Sequence, residues 1–275
     1  MDLESLKQAM REYTFRPKKK LGQNFLIDPR IASRIADTFE DVTTPVVEIG
    51  GGFGALTAPL SERFERLQVL ETDPILYRYL SEKFREKGNV SVEKKDILKT
   101  FFHEKVCVIG NLPYAITSPI LIHLIEQRSF IREALITVQK EVAERLRAKP
   151  RTKAYSPLSC LLQLFTDVKS QFKISKNAFY PKPEVDSEVV KLHFLGTPLV
   201  SPKNLDFMIK VIRTGFGKRR KTLANALMDL GQDFPKEKIL EVLEETGVSK
   251  KARAEELDLK GFATLSDKLQ ILTNW

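Results

Sequence analysis

Short β-branched runs recur through the first two-thirds of the chain, at residues 45–50 (PVVEIG), 67–72 (LQVLET), 89–93 (NVSVE), 106–110 (VCVIG) and 134–139 (ALITVQ). Helical stretches separate them, and this alternation predicts a mostly parallel sheet with helices on both faces. Ahead of the first run, Asp28-Pro29 followed by Ile31, Ala32, Ile35, Ala36 and Phe39 reads as an N-cap, a proline in the first helical position and an apolar helix face. Two later runs, 168–174 and 187–195, are separated by a proline-bearing loop and no helix. They predict an antiparallel pair at one edge of the sheet. After Gly196-Thr-Pro-Leu-Val-Ser-Pro202, a natural linker, apolar residues fall at helical spacing to the end: Leu205, Met208, Ile209 and Ile212; Leu223, Ala226 and Leu227; Ile239, Leu240 and Leu243; Leu265, Leu269 and Leu272. The fold class expected is α/β, with a smaller all-helical C-terminal domain.

A chain of 275 residues suits two domains at about 150 residues each. With 42% hydrophobic and 29% charged residues, a disordered or fibrous chain is excluded. No apolar run approaches the roughly 18 residues of a membrane span, and the opening MDLESLKQAMREY has no signal-peptide apolar region, so a cytosolic protein without a membrane partner is expected. Cys107 and Cys160 lie in apolar runs and read as core residues, with no disulfide between them. His103, His123 and His193 lack metal-ligand spacing, and no metal is expected.

The net charge of +9 changes the picture, because it is clustered. Arg16-Pro-Lys18-Lys19-Lys20, then Arg145, Arg147, Lys149, Arg151 and Lys153, then Lys218-Arg219-Arg220-Lys221 lie before, within and after the stretch of predicted strands. One such cluster is accounted for by a solvated face; three point to a polyanion such as nucleic acid. The last precedes Leu223, Ala226 and Leu227, which predicts positive charge at a helix start, unfavourable against the macrodipole unless an anion sits there.

Candidate chemistry begins at Glu48-Ile-Gly-Gly-Gly-Phe-Gly54, a glycine turn between the first strand and the helical ALTAPLSERF. Glycines at such a junction let the chain turn sharply and bring its backbone against a ligand. Gly50, Gly52 and Ala55 satisfy the dinucleotide pattern, and Glu71 stands where a ribose-binding acid belongs. Asp96, directly after the third strand, is placed to meet an adenine amino group. These residues suit any adenosine-containing cofactor, and NAD and S-adenosylmethionine both remain open.

Asn111-Leu112-Pro113-Tyr114 follows the fourth strand, at the sheet edge where open α/β folds place ligands. Its chemistry suits methylation of an amine conjugated to an aromatic ring. Such a nitrogen is a poor nucleophile because its lone pair is delocalised. If the Asn111 side-chain oxygen and the Leu112 carbonyl accept its two hydrogens, the lone pair turns toward the methyl donor and the developing positive charge is stabilised. Pro113 holds Leu112 extended, and Tyr114 offers a face for a base to stack upon.

These pieces, together with Gly22-Gln-Asn-Phe-Leu26, Val69-Leu-Glu-Thr-Asp73, Gln139-Lys-Glu-Val142, Lys153-Ala-Tyr155, Phe179-Tyr-Pro-Lys-Pro183, Val185-Asp-Ser187, Phe216-Gly-Lys-Arg-Arg-Lys-Thr222 and Arg253-Ala-Glu-Glu256, run in order over nearly the whole chain. In them the sequence resembles the bacterial small-subunit ribosomal RNA adenine dimethyltransferases. The resemblance implies a Rossmann-like class I methyltransferase sheet, mostly parallel with an antiparallel edge strand. It implies dimethylation by S-adenosyl-L-methionine of the N6 amines of two adjacent adenosines in the 3′-terminal hairpin loop of the small-subunit rRNA, coupled to subunit biogenesis, by a monomer whose partner is the small subunit.

By matching position, Asn24 and Leu26 would close over the cofactor, Gly50 lie under it, Glu71 hold the ribose and Asp96 the adenine, and Asn111 bridge cofactor and target. Phe179 would stack on the flipped adenine opposite Tyr114. Lys18, Lys19, Lys20, Arg145, Arg147, Lys153, Arg219, Arg220 and Lys221 are the expected RNA contacts. Residues 1–15 then form an N-terminal extension, 16–197 the methyltransferase domain and 198–275 a helical RNA-binding domain. Gly51 stands where the family usually has proline or another residue, so a looser turn is expected. Two rivals remain: the large-subunit adenine methyltransferases of macrolide resistance, which share the glycine turn, and a ribosome-assembly factor that chiefly binds. Leu112, the 216–222 stretch and Arg253-Ala-Glu favour the small-subunit group.

Overall fold

The computed structural model describes residues 1–18, 22–218 and 220–272, so Lys19, Lys20 and Arg219 lie outside the described residues. An N-terminal helix, α1 (Leu3–Glu12), is capped by the Asp2 carboxylate, which accepts from Ser5 N at 2.8 Å, and buries Leu6, Ala9 and Met10. The two-residue strand β1 (Phe25–Leu26) leads to α2 (Pro29–Ala36), with Asp28 at its N-cap as the sequence predicts. Then β2 (Val46–Ile49), α3 (Thr57–Arg63), β3 (Leu67–Leu70), α4 (Pro74–Lys83), β4 (Val90–Glu93), β5 (Val106–Asn111), α5 (Thr117–Glu126) and β6 (Ile131–Gln139) alternate strand and helix.

The remaining elements are α6 (Lys140–Leu146), α7 (Pro157–Phe165), β7 (Thr166–Ile174), β8 (Phe179–Tyr180), β9 (Ser187–Phe194), α8 (Leu205–Gly217), α9 (Leu223–Leu227), α10 (Lys236–Glu245) and α11 (Leu259–Gln270). The main sheet has the order β4-β3-β2-β5-β6-β9-β7, with β4 through β6 parallel and β9 antiparallel to β6. The predicted pair, β9 and β7, are neighbours and stand together at one edge of the sheet as expected, with β7 outermost and β9, antiparallel to β6, one place inside it. Composition explains the order: β9 is buried over Ser187–Val190 and suits an interior position, whereas β7 carries Asp167, Lys169 and Lys173 along an exposed strand.

Two compact units result. The first comprises Met1–Ala143 and Asp167–Phe194, the second Glu144–Thr166 and Leu195–Trp275. Two expected boundaries therefore shift. Glu144–Thr166 falls within the expected 16–197 domain but packs with the helical unit: Arg151 N donates to the Glu255 carbonyl at 2.7 Å, and the Tyr155 and Phe216 rings meet edge to face. Residues 1–15 belong to the first unit and share a cluster with Phe53 and Leu76. In the first unit Val46, Val69, Ile109 and Leu135 from the sheet form a core with Ile35, Phe39, Leu60 and Phe64 from the α2 and α3 regions. Cys107 and Cys160 are both buried, as their apolar settings predict.

Candidate active site

The strand order reverses at β2, which has β3 on one side and β5 on the other. Parallel register aligns the carboxyl ends: Leu70 with Glu93, Ile49 with Leu70, and Glu48 with Ile109. Asp96, Glu71, the glycine turn and Asn111 thus leave the sheet in one row. This is the crevice in which doubly wound sheets bind ligands. Asn24, Leu26, Gly50, Glu71, Asp96 and Asn111 all line a single cavity there, as do Leu112, Pro113 and Tyr114.

The turn is held by its conformation and its neighbours. Gly50, Gly52 and Gly54 have φ of 71°, 57° and 76°, in the left-handed region that glycine adopts without strain. A Cβ on Gly50 would meet no atom within 4 Å, so bare backbone faces the cavity there. Gly51 overturns the expectation of a looser turn: a Cβ would stand 2.5 Å from Val69 Cγ1 and 2.9 Å from Leu80 Cδ1, a close fit against strand and helix.

Glu71 is buried, and its carboxylate accepts three backbone N–H groups: Gly52 at 3.0 Å on Oε2, Thr72 at 2.8 Å and Asp73 at 2.9 Å on Oε1. It therefore ties the turn to the end of β3. Burial pushes its pKa above the usual carboxylate range, against those three donors. Glu48, to which the sequence reading assigns no role of its own, also lines the cavity and accepts from the Thr57 hydroxyl at 2.7 Å. Burial, with Glu71 adding repulsion, pushes its carboxyl up to about 7. Its position at the strand end before the glycines is the available signal. Asp96 accepts from Leu98 N at 3.0 Å and starts a short 3₁₀ turn.

The Asn111 motif is anchored on three sides. Asn111 Nδ2 donates to the Asn24 carbonyl at 2.8 Å, Leu112 N donates to the Thr137 carbonyl at 3.1 Å, and the Tyr114 hydroxyl shares a 2.7 Å hydrogen bond with Ser187 Oγ. The Asn24 bond fixes the amide orientation, since a flipped amide would oppose two oxygens. Asn111 Oδ1 is left buried without a hydrogen-bond partner. Burial raises the Tyr114 pKa, partly offset by the Ser187 bond, which keeps the ring neutral.

Not every predicted site residue comes to this cavity. Phe179 pairs with Leu26 in the β1–β8 ladder, is 2% exposed and packs in the core with Ile35, Ile174 and Val189. It is absent from the cavity wall, which corrects its expected place opposite Tyr114; the ladder turns this aromatic into the core. Lys18 forms a 2.7 Å ion pair with Asp73, the α4 N-cap. Arg145 and Arg147 are half-buried, while Lys153, Arg220 and Lys221 are exposed, all in the second unit. Lys218 lies at the C-cap of α8, where positive charge is favourable, and pairs with Asp229 at 2.7 Å; the helix that follows has only five residues. Arg220 and Lys221 do precede Thr222, the N-cap of α9, but a helix of five residues carries a weak macrodipole, so the expected conflict is small. Among the described residues no group of three His, Cys, Asp or Glu is placed to hold a metal.

A sheet of this order, with a glycine turn at the reversal and acids ending the next two strands, defines a Rossmann-like α/β methyltransferase. Residues 14–270 match the family described as ribosomal RNA adenine dimethylase, and the chain belongs to that family. It is 40% identical over 276 residues to Ribosomal RNA small subunit methyltransferase A of Bacillus cereus (strain B4264), covering 96% of this chain and 94% of that one. Among solved structures, a dimethyladenosine transferase from Plasmodium falciparum has a TM-score of 0.75 at 28% identity, covering 88% of this chain and 95% of that one. The 23S rRNA methyltransferase ErmE has a TM-score of 0.67 at 27% identity, covering 90% and 99%. The protein is an S-adenosylmethionine-dependent rRNA adenine dimethyltransferase.

Proposed function

We propose that the substrate is the small-subunit rRNA, modified at the N6 amines of two adjacent adenosines in its 3′-terminal hairpin loop, and that Asn111 is the catalytic centre. The observation that carries the catalytic reading is Asn111 Oδ1, a buried acceptor without a partner at the end of β5. A buried acceptor left unpaired costs about 1–3 kcal/mol, a cost that a substrate N–H relieves. The small-subunit assignment is supported by the 40% identical relative of that name.

The cavity fits the methyl donor: bare backbone at Gly50, two buried acids at Glu48 and Glu71 whose ionised forms a bound cation would favour, and an apolar wall from Leu26 and Ile97. Bound S-adenosylmethionine supplies an electrophilic methyl group. Glu71 accepts from its ribose, Asp96 from its adenine amino group, and Asn24 and Leu26 cover it. Asn111 Oδ1 and the Leu112 carbonyl accept the two N6 hydrogens, which turns the lone pair out of conjugation and stabilises charge on the nitrogen. Tyr114 stacks on the extruded base, held by Ser187. Lys153, Arg220 and Lys221 on the helical unit neutralise rRNA phosphates. The protein acts as a cytosolic monomer.

Incubation with labelled S-adenosylmethionine and a mixture of undermethylated small and large subunits, followed by mapping of the label on each rRNA, tests this. Two adjacent dimethyladenosines near the 3′ end are expected. Label on large-subunit rRNA, the substrate named for ErmE, would overturn the assignment.

A further inference from the structure

The N-terminal helix reaches the cavity assigned to the cofactor. Leu6, wholly buried on α1, lines the cavity together with Gly52, Phe53 and Glu71, and Met1 lines it as well. Leu6, Ala9, Met10 and Phe15 form one apolar cluster with Phe53 and Leu76. Phe53 lies inside the glycine turn, and Leu76 lies in the first turn of α4, the helix that follows Glu71. The Phe15, Phe25 and Phe53 rings close a triangle of edge-to-face contacts, with centroids 5.8, 5.3 and 5.2 Å apart. Phe25 adjoins Asn24, and its Cδ1 would stand 3.1 Å from a Cβ on Gly52. Tyr13 continues the chain of rings to Tyr79 at 5.1 Å, and Tyr79 to Phe53 at 5.0 Å. The anchors of α1 are thus the segments that carry the groups facing the cofactor.

We infer that α1 is a wall of the cofactor site, so that its docking and cofactor binding stabilise one another. A helix of ten residues is marginal in water on its own, and its apolar face holds it in place. A ligand that contacts only the docked arrangement shifts the helix toward docking, and by linkage docking tightens the ligand to the same degree. Departure of the product S-adenosylhomocysteine then requires α1 to loosen, which slows its release.

The test uses the full chain and S-adenosylhomocysteine as probe. Amide hydrogen exchange over residues 3–12 should slow when the probe binds. Leu6→Ala and Phe15→Ala should weaken binding at least tenfold by calorimetry, with most of the change in the dissociation rate. Gln8→Ala, on the exposed face of α1, should bind as the parent does. Circular dichroism and the ligand-free melting transition establish that each variant is folded; should one fail to fold, exchange in the unaltered protein decides alone. Unchanged α1 exchange on binding, or affinity within twofold in folded Leu6→Ala and Phe15→Ala, overturns the inference. The inference rests on this cavity being the cofactor site, and Glu71→Ala separates the two. Normal affinity in Glu71→Ala would remove both readings, whereas loss there with normal α1 variants would remove only this one.

Discussion

Replacing Asn111 with alanine removes two groups with separable consequences. The Nδ2 donor holds the Asn24 carbonyl at 2.8 Å, and its loss loosens one cover of the cofactor cavity. A single net hydrogen bond is worth about 0.5–1.5 kcal/mol, so affinity for S-adenosylhomocysteine should fall about two- to tenfold. The Oδ1 acceptor has no hydrogen-bond partner within the protein, so its loss costs the fold little. It is felt when charge develops on the target nitrogen, where removal of one preorganised partner costs about 10²–10³ in kcat. Asn111→Ala should therefore lose at least a hundredfold in single-turnover methyl transfer to undermethylated subunits, while calorimetry reports cofactor affinity within about tenfold. Near-normal turnover, or a loss accounted for by cofactor affinity alone, would refute the assignment of the orphaned acceptor to the substrate amine.

Ser187→Ala and Tyr114→Phe should each lower kcat without changing cofactor affinity, and the double variant should be little worse than either single one, because both remove the same 2.7 Å bond; additive losses would show that Ser187 acts elsewhere. Glu48 gives a pH dependence: its carboxyl is raised from 4.5 to about 7, so the protonated form is favoured in the fold, and this contribution is fully present below 4.5 and lost as pH rises through 7. Glu48→Gln should accordingly stabilise the ligand-free protein by up to about 3 kcal/mol at pH 8 and by little at pH 4, read from melting curves at both. Replacing Arg219, Arg220 and Lys221 together by alanine should weaken subunit binding without changing which adenosines are modified, and flatten the salt dependence by about 0.7–0.9 for each phosphate no longer neutralised; an unchanged slope would leave these residues as solvated surface.

Much of this site is legible in the sequence because it sits at strand ends, where a polar residue after a β-branched run has few structural uses. Glu71, Asp96 and Asn111 stand out for that reason, and parallel pairing in register then brings them to one cavity. Long-range partnership is what a linear pattern does not carry. The apolar residues of PLSCLLQLF announce a buried helix but not which core buries it, and Glu144–Thr166 joins the helical unit rather than the sheet that precedes it. The β1–β8 ladder is two residues long, too short for periodicity to register, yet it decides that Phe179 points into the core. The amphipathic α1 shows an apolar face in sequence without showing its target.

The positions where local rules are broken mark the site more sharply than any motif does. Buried side-chain atoms without hydrogen-bond partners occur on Arg63, Ser81 and Asn111, and of these residues only Asn111 lines the cavity. Glu48 and Glu71 are buried acids with raised pKa values on the same wall, each held by donors that only partly compensate for lost water. The left-handed glycines Gly50 and Gly52 stand between them. Each feature opposes folding, and a stable core would replace it with apolar packing if stability were the only requirement. Their convergence in one crevice therefore calls for a ligand that relieves them together: one with positive charge for the acids, a flat surface for the bare backbone, and a neighbouring N–H for the amide oxygen. A sulfonium cofactor beside an adenine amine meets all three requirements, whereas a nicotinamide dinucleotide would bring negative charge toward the buried acids and leave Asn111 Oδ1 without a donor.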